Sequence, residues 1–415
     1  MNKEEELLVS NEKKTTKRDH REVSKELEMY FFDQKSGQGL PFLLPQWVEI
    51  RNQIDKFLKE KQKEYNFKEV VTPILGSRKL YETSGHLSHY EENMFPEINK
   101  SGETFILRPM TCPHHCLVYL YKPHSYKELP VRLCENSIIH RYEPSGSLKG
   151  LERVRWMELS DHHIFLSQED LKKEFKNNYK YISEVIEKFG LKISRLSCSI
   201  SDPENKEKYH SDKNLWKYSE GLLSESLKEL NLDFVTIKGE AAFYGPKLDI
   251  EVETIDGKNV TLATIQIDLA TPKKFGLKYI DKDKNLKEPA MIHHSPIGTY
   301  QRFIALLLEQ TNGKLPFWIS PCQVKILPIN DEENFSSLCE RISEKLNEKG
   351  IRNRISKNRS IGFRIKELYK EKVPYYLVVG NEELESNKFK LKNSYLNSEE
   401  IELGLSELVE KLSKK

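Results

Sequence analysis

Apolar residues recur at helical spacing along several stretches of the chain. Trp47, Ile50 and Ile54 are three or four positions apart, which predicts an amphipathic helix that continues to Tyr65. The β-branched run 67–73 follows and closes with proline, which is typical of the end of a strand. The same patterns predict helices at 169–189, 213–230 and 297–311, and strands at 103–109, 131–141, 153–167, 194–201 and 234–268.

The arrangement of these elements predicts two folded domains. Strands joined by hairpin-like connections favour an α+β fold, with an antiparallel sheet flanked by helices. Prolines 316 and 321 then interrupt the chain, and the elements after them alternate between strand and helix, which indicates a small α/β domain. We therefore expect a charged leader at 1–25 without a core of its own, a first domain at 26–318 and a second at 319–415. The second domain has predicted strands at 323–327, 351–355, 375–380 and 387–392, and predicted helices at 332–348, 360–370 and 398–413.

Composition indicates the class of protein and its compartment. With 37% hydrophobic and 31% charged residues, a chain of 415 residues can bury a core, which excludes full disorder. Its apolar runs are shorter than the roughly 20 residues of a membrane helix, and its N-terminus lacks the apolar stretch of a signal peptide. The six cysteines show no disulfide spacing. We therefore expect a cytoplasmic protein with reduced thiols and no membrane contact.

Charge is distributed unevenly, although the net charge is only +2. Residues 345–372 carry ten Lys or Arg against three Glu. Such a stretch is suited to a phosphate backbone, and a solvated helix face would have the same composition.

The segment 140–155 predicts a nucleotide site. Arg141 and Glu143 are two residues apart, a spacing that puts side chains on one face where the chain is extended, and a turn separates them from Arg153 and Arg155. Arginines bind phosphates with a forked pair of donors, and a carboxylate accepts a hydrogen bond from an exocyclic amine. The pattern is therefore suited to a nucleoside triphosphate.

Three places in the sequence offer soft or imidazole ligands for a metal ion. Residues 112–116 contain two cysteines and two histidines, and His-His pairs stand at 162–163 and 293–294. Because neighbouring residues on a strand point to opposite faces, only one histidine of each pair can face a common site. The residues alone leave open which of these side chains share a metal.

Several blocks of the sequence resemble class II aminoacyl-tRNA synthetases. Residues 140–155 resemble motif 2 in the form found in threonyl-tRNA synthetases, and 298–303 (GTYQRF) resemble motif 3. The predicted helix and strand ending at Pro73 resemble motif 1, which builds the dimer interface in the family. Further blocks match at 17–21 (KRDHR), 80–86 (LYETSGH), 108–113 (RPMTCP) and 243–247 (FYGPK), and 361–365 (IGFRI) and 373–375 (VPY) resemble the anticodon-binding domain. The resemblance implies a homodimer in which a class II catalytic domain precedes an anticodon-binding domain.

The resemblance also implies a threonine–tRNA ligase, which activates threonine with ATP as threonyl-adenylate and transfers it to threonine tRNA. By resemblance, Arg141 bridges the substrate carboxylate and the α-phosphate, and Glu143 binds the adenine amine. Arg153 and Arg302 hold the outer phosphates, and Mg2+ accompanies ATP. Arg141 and Arg302 are thus the expected catalytic residues, and Gln266 completes the expected ATP-binding set.

One zinc ion (Zn2+) per subunit is implied in the same way, bound by Cys112, His163 and His293. Its open position would take the amino and hydroxyl groups of threonine, which rejects the isosteric valine strongly and serine weakly. Asp161 lies two residues before His163 on the same face and would accept a hydrogen bond from the hydroxyl. The residues expected to contact the amino acid are Met110, Asp161, Tyr244 and Gln266.

The sequence departs from the family at several positions. Leu159 and Thr261 stand where the family usually has glutamine, and His114 replaces a usual glycine. The arginine-rich turn expected at 391–400 reads LKNSYLNSEE. These changes predict altered substrate affinity and weaker anticodon reading. Because the resemblance begins near residue 15, we also expect a short form without the N-terminal TGS and editing domains, which would form seryl-tRNA at a measurable rate.

Two other functions stay open at this stage. A synthetase paralogue that activates an amino acid for a non-tRNA acceptor is favoured slightly by the altered 391–400 turn. A non-catalytic tRNA-binding relative is disfavoured, because it would not need the phosphate clamp of Arg141 and Arg302. A zinc hydrolase is disfavoured because the chain lacks the H-E-x-x-H pattern.

Overall fold

The computed structural model describes residues 18–205, 208–209, 212–396 and 400–415. In that part of the chain no helix is long and apolar enough to cross a membrane. Helices α1 to α13 span, in order, His20–Glu26, Pro45–Glu64, Arg78–Ser84, His86–His89, Cys112–Leu120, Leu171–Phe189, Lys213–Glu229, Thr271–Lys274, Tyr300–Thr311, Glu333–Glu348, Ile361–Lys370, Asn381–Ser386 and Leu405–Ser413. Strands β1 to β20 span Tyr30–Phe32, Pro41–Leu43, Lys68–Glu69, Leu75–Ser77, Ile98–Lys100, Glu103–Leu107, Val131–His140, Trp156–Leu166, Arg195–Ile200, Val235–Lys238, Lys247–Glu253, Asn259–Asp268, Tyr279–Ile280, Leu286–Lys287, Ala290–Ser295, Val324–Pro328, Asn353–Ile355, Tyr375–Val379, Lys388–Asn393 and Glu400–Gly404.

One compact unit consists of residues 32–41 and 57–306. Its main element is an eight-stranded sheet with the order β10-β9-β11-β12-β15-β8-β7-β3. The inner pairs are antiparallel, as the hairpin-like connections predict. The edge strands β10 and β3 instead pair in parallel with their neighbours.

Strand β8 runs through the interior of this unit and is buried continuously from residue 160 to residue 166. Helix α6 packs against β12 and β15. Its buried residues include Leu171, Phe175, Ile182 and Val185. Successive members of this set are four, seven and three positions apart, which gives the helix one apolar face. This face covers one side of the sheet, and the candidate site lies on the other.

The other compact unit consists of residues 18–31, 42–56 and 307–415. It contains a five-stranded sheet with the order β17-β16-β18-β19-β20, in which the first three strands are parallel and the last two antiparallel. Ile326, Leu377 and Phe389 of this sheet are fully buried in one core with Ile342 of α10. The expected small α/β domain is therefore confirmed.

The short helix α1 is packed into this second unit. Its residues His20 and Val23 are fully buried, and His20 Nδ1 lies 2.7 Å from Glu309 Oε1. Of the expected leader 1–25, residues 1–17 lie outside the described residues, and the described part includes helix α1, whose buried side chains pack into the core of this unit.

Most predicted elements differ from the structure by a few terminal residues, and three differ in more than their ends. The run 67–73 is a strand only at Lys68–Glu69. The stretch 234–268 forms the three strands β10, β11 and β12, and Gly257, with φ +72°, allows the turn between the last two. The predicted helix 398–413 is wrong at its start, because Glu400–Gly404 pairs with β19 as a strand before α13 begins.

Candidate metal centre and nucleotide site

Strand register brings two histidines and a glutamine side by side in the eight-stranded sheet. His163 on β8 pairs with His293 on β15, and His293 pairs with Gln266 on β12. Paired residues point to the same face, so these side chains form a row across three strands.

Cys112 reaches this row from the first turn of α5, where it is buried. Its Sγ and one ring nitrogen each of His163 and His293 all lie within 4.8 Å of one another. A thiolate and imidazole nitrogens are preferred zinc ligands, and three of them leave a fourth coordination position open. The three predicted ligands therefore converge on one place, which we call the metal centre.

The distances between the ring nitrogens fit a zinc ion. His163 Nε2 lies 3.1 Å from His293 Nδ1, and two nitrogens on a tetrahedral zinc, each about 2.0–2.1 Å from the metal, would be about 3.3 Å apart. The second nitrogen of each ring is held elsewhere, by His115 Nδ1 at 2.8 Å and by Asp268 Oδ2 at 2.8 Å. Backbone N–H groups of residues 270–271 donate to the other oxygen of Asp268, both at 2.8 Å. Both rings are therefore oriented with one nitrogen toward the centre.

Asp161 is buried beside the metal centre. One of its oxygens accepts a hydrogen bond from Thr111, and Oδ1 lies 3.9 Å from His163 Nε2. Burial raises the pKa of the Asp161 carboxyl, and the hydrogen bond from Thr111 opposes this shift. Burial likewise raises the pKa of the Cys112 thiol. A cation at the centre would favour the ionised form of both groups.

Tyr244 lies against the row next to His293. Its ring stacks on that imidazole at 4.4 Å and 16°, and its hydroxyl donates to Gln266 Oε1 at 2.5 Å. The backbone next to Tyr244 passes close to the backbone of β12 at Ile267. Only glycine fits at position 245, because a Cβ there would lie 1.8 Å from the carbonyl oxygen of Ile267. The structure therefore places the predicted residues Tyr244 and Gln266 together at the metal centre.

Met110 lies at the edge of the centre, next to His86. Its sulfur is 3.3 Å from His86 Nε2, and the same nitrogen is 3.9 Å from Cys112 Sγ. Ser84 Oγ lies 2.8 Å from the other ring nitrogen of His86. The sequence matches the family at His86, but sequence reasoning assigned this residue no role.

His162 and His294 point to the opposite face of the sheet, as strand alternation predicts. Their ring centroids are 5.0 Å apart, and both rings contact Tyr181 of α6. His162 Nε2 lies 3.2 Å from the side-chain amide of Gln62. These two histidines therefore belong to the core under α6.

The three predicted phosphate-binding arginines, Arg141, Arg153 and Arg302, are close enough in space for their charges to interact. Arg141 and Arg302 each donate to a backbone carbonyl, at 3.3 and 3.0 Å, and Arg153 Nη1 lies 3.7 Å from Glu143 Oε2. Burial and then the positive charges of Arg153 and Arg141 lower the pKa of Arg302 to about 10. Three cations that repel one another favour an anionic ligand between them.

The departures from the family are accommodated locally. Leu159 forms an isolated backbone bridge with Thr299, and the carbonyl of Thr261 accepts a hydrogen bond from Arg302 Nη1 at 3.5 Å. His114 is buried, with Nε2 3.4 Å from the carbonyl oxygen of Leu75. With this bulkier residue at 114, the three predicted metal ligands still lie close together.

Sequence reasoning counted His115 only among possible metal ligands and gave Asp268 no role, although these two residues hold the imidazoles. His115 lies three residues after Cys112 in a helix, and Asp268 lies two residues after Gln266 on a strand, so each shares a face with a predicted site residue. These spacings were available in the sequence. The contact of Asp268 with His293 depends on the pairing of β12 with β15, and that of His115 with His163 depends on the packing of α5 against β8, neither of which the sequence reveals.

Two family models match the chain. The class II core domain of tRNA synthetases (G, H, P, S and T) matches residues 95–311, and an anticodon binding domain matches residues 323–415.

Individual proteins are similar over nearly the whole chain. A threonine–tRNA ligase of Ureaplasma parvum serovar 3 is 42% identical over 399 residues, which are 96% of this chain and 69% of the relative. Threonine–tRNA ligase 1 of Bacillus subtilis is 42% identical over 410 residues, which are 98% of this chain and 63% of the relative. The crystal structure of the RNA binding domain of threonyl-tRNA synthetase from Cryptosporidium parvum Iowa II has a TM-score of 0.90 at 31% identity, covering 96% of this chain and 98% of that one.

Proposed function

The chain belongs to the threonyl-tRNA synthetase family, with the activity of a threonine–tRNA ligase, and we propose that zinc held by Cys112, His163 and His293 sets its amino-acid selectivity. One observation carries this proposal. A thiol and two imidazoles that are far apart in the sequence lie within 4.8 Å of one another, next to the buried carboxylate of Asp161.

The residues around the centre account for selection of threonine. Bound zinc would bind the amino and hydroxyl groups of the substrate at positions that the three protein ligands leave open. Asp161 would accept the hydrogen bond of the hydroxyl, which valine lacks, so valine would leave a buried polar group without a partner. Serine keeps the hydroxyl and loses only a methyl group, which is worth about 1–3 kcal/mol in such pockets. Met110, Tyr244 and Gln266 would complete the amino-acid pocket.

We assign ATP to the surface formed by the arginines. Arg141 would bridge the threonine carboxylate and the α-phosphate, and Glu143 would bind the adenine amine. Arg153 and Arg302 would hold the outer phosphates, with Gln266 completing the site and Mg2+ arriving with ATP. Neutralising both anionic reactants lets the carboxylate attack the α-phosphorus while pyrophosphate leaves.

We assign catalysis to residues 26–318 and tRNA binding to residues 319–415, preceded by residues 1–25. The family model for anticodon binding begins at residue 323, close to the proposed boundary. In this second part, the guanidinium of Arg359 lies 5.0 Å from the centroid of the exposed Phe363 ring. A cation beside an exposed aromatic ring offers both charge and stacking to a nucleotide.

We propose that the active form is a cytoplasmic homodimer that uses the region of motif 1. Val71 is 89% exposed there, and Leu75 is exposed as well. The contact between His114 and the Leu75 carbonyl places α5 beside this segment, and α5 exposes Leu117 and Leu120. Neighbouring exposed apolar side chains fit a subunit interface.

Two assays with and without a chelator test the proposed function. We expect threonine-dependent pyrophosphate exchange and charging of threonine tRNA, both lost on chelation and restored by zinc, with no exchange in response to valine. Exchange without charging would favour transfer to a non-tRNA acceptor. Absence of both activities would favour the non-catalytic relative.

A further inference from the structure

A chain of buried polar side chains ends on the metal ligand His163. His115 lies on α5 and its Nδ1 is 2.8 Å from His163 Nδ1, with the two rings edge to face at 4.7 Å and 85°. His115 Nε2 lies 3.2 Å from Glu135 Oε2. His115 and Glu135 are both buried, so these contacts form away from solvent.

Glu135 is held on both of its oxygens. Thr72 Oγ1 donates at 2.7 Å to the oxygen that faces His115, and Arg108 Nη2 donates at 2.8 Å to the other. Burial acts to raise the pKa of Glu135, but hydrogen bonds from His115 and Thr72 and the charge of Arg108 outweigh it and lower this pKa to about 2. Arg108 is itself anchored, because its Nε donates at 2.7 Å to a backbone carbonyl.

The positions of the protons follow from these contacts. An ionised carboxylate only accepts, so His115 Nε2 must donate to Glu135. The tautomer of His115 that carries its single proton on Nε2 has a lone pair on Nδ1, and this lone pair accepts a hydrogen bond from a protonated His163 Nδ1 at 2.8 Å. His163 therefore presents the lone pair of Nε2 toward His293 and the metal centre.

We propose that His115, supported by Glu135 and Arg108, is a positioning residue that fixes the tautomer and the ring orientation of His163. This inference rests on the proposed zinc centre. Partners that bind the second nitrogen of a metal-binding histidine typically change metal affinity about 10–100-fold. Without His115, the ring of His163 could rotate or carry its proton on Nε2, the nitrogen needed for the metal.

Zinc affinity of the full chain, measured by competition with a chelator, tests this role. We expect His115→Ala to bind zinc about 10–100-fold more weakly. His115→Asn should recover most of that loss, because its amide oxygen can replace Nδ1 as the acceptor for His163. Cobalt(II) gives a second readout, since its visible absorption reports the coordination geometry and should change in His115→Ala.

His124→Ala is the matched control. His124 is another buried histidine in the same region, and its Nε2 lies 2.9 Å from the carbonyl oxygen of Tyr119. We expect this variant to lose stability and to keep the zinc affinity of the unaltered chain. If His115→Ala does not fold, His115→Gln replaces it and should show the same loss of zinc affinity. The longer side chain puts its amide oxygen near the position of Nε2, so Nδ1, the acceptor for His163, is not replaced.

Unchanged zinc affinity in His115→Ala would overturn the proposal. An equal loss in His115→Ala, His115→Asn and His124→Ala would also overturn it, because that result indicates a general packing effect. Absence of stoichiometric zinc from the unaltered chain would instead contradict the metal centre itself, so the two failures are distinguishable.

Discussion

Buried charged side chains near the metal centre have specific partners. Arg108 and Glu135 form a buried ion pair at 2.8 Å. Asp161 is bound by Thr111 through one oxygen, and its other oxygen lies on the side of His163. A buried carboxylate oxygen beside the proposed metal centre is suited to a substrate hydroxyl, because burial without a hydrogen-bond donor is costly.

Replacing Asp161 by asparagine removes the charge that would bind the threonine hydroxyl. We expect kcat/KM for threonine in pyrophosphate exchange to fall about 10–100-fold, because a hydrogen bond to a charged group contributes about 1.5–3 kcal/mol. The KM for ATP should stay unchanged. Asp256→Asn is the control, since Asp256 is exposed and pairs with Lys149. Unaltered threonine kinetics in Asp161→Asn would contradict the assignment.

Glu135 gives the stability of the fold a defined pH dependence. Its pKa of about 2 in the folded chain lies below the ordinary value of 4.5. Its ionised form therefore stabilises the folded state above about pH 4.5, and this contribution, on the order of 3 kcal/mol, is lost as the pH falls toward 2. We expect the free energy of unfolding in urea to fall more steeply over this range in the unaltered chain than in Glu135→Gln. Parallel curves for the two proteins would show that Glu135 makes no such contribution.

Just before β11, position 245 has room only for glycine. A Cβ at Gly245 would lie 1.8 Å from a backbone oxygen of β12, so Gly245→Ala must displace Tyr244 or the strand. We expect this substitution to lower the melting temperature and to weaken threonine binding.

Gly221→Ala provides the contrasting substitution. Gly221 lies inside α7, and a Cβ there would have no neighbour within 4 Å. We expect its melting temperature to rise slightly, because alanine favours a helix over glycine by about 0.5–1 kcal/mol. A melting temperature of Gly245→Ala equal to that of the unaltered chain would mean that the close backbone approach is not needed.

Elements with strong local patterns were predictable, and elements that depend on distant pairing were less so. Helices α2 and α6 have clear amphipathic spacing in the sequence, so their predicted bounds agree closely with those in the structure. The local pattern of 400–404 does not distinguish a strand from the start of a helix, and only the pairing with β19 identifies these residues as a strand. The site follows the same division. Family spacing indicated Cys112, His163 and His293, whereas the contact of His115 with His163 depends on the packing of helix α5 against β8.

At the scale of the whole molecule, the basic stretch 345–372 is less available for binding than its composition indicates. Arg364 is buried and donates to two backbone carbonyls at 2.6 and 2.7 Å. Lys345 pairs with Glu348 at 2.7 Å. Arg359 is exposed beside Phe363, which makes it a stronger candidate for a phosphate contact.

We expect tRNA affinity to fall steeply with added salt, because phosphate contacts release counterions. Arg359→Ala should weaken binding and reduce the slope of log affinity against log salt concentration by about one. Lys345→Ala, which removes a lysine already paired with glutamate, should leave that slope unchanged. An identical slope in Arg359→Ala and the unaltered chain would exclude Arg359 from the tRNA interface.

The zinc content of the purified chain is the most direct test of the proposed function. After dialysis against a weak chelator, we predict one zinc ion per unaltered chain, loss of zinc from Cys112→Ser and from His163→Ala, and retention in His162→Ala, whose side chain lies on the other face of the sheet. An unaltered chain without zinc, or full zinc content in Cys112→Ser and His163→Ala, would contradict the metal centre and the selectivity assigned to it.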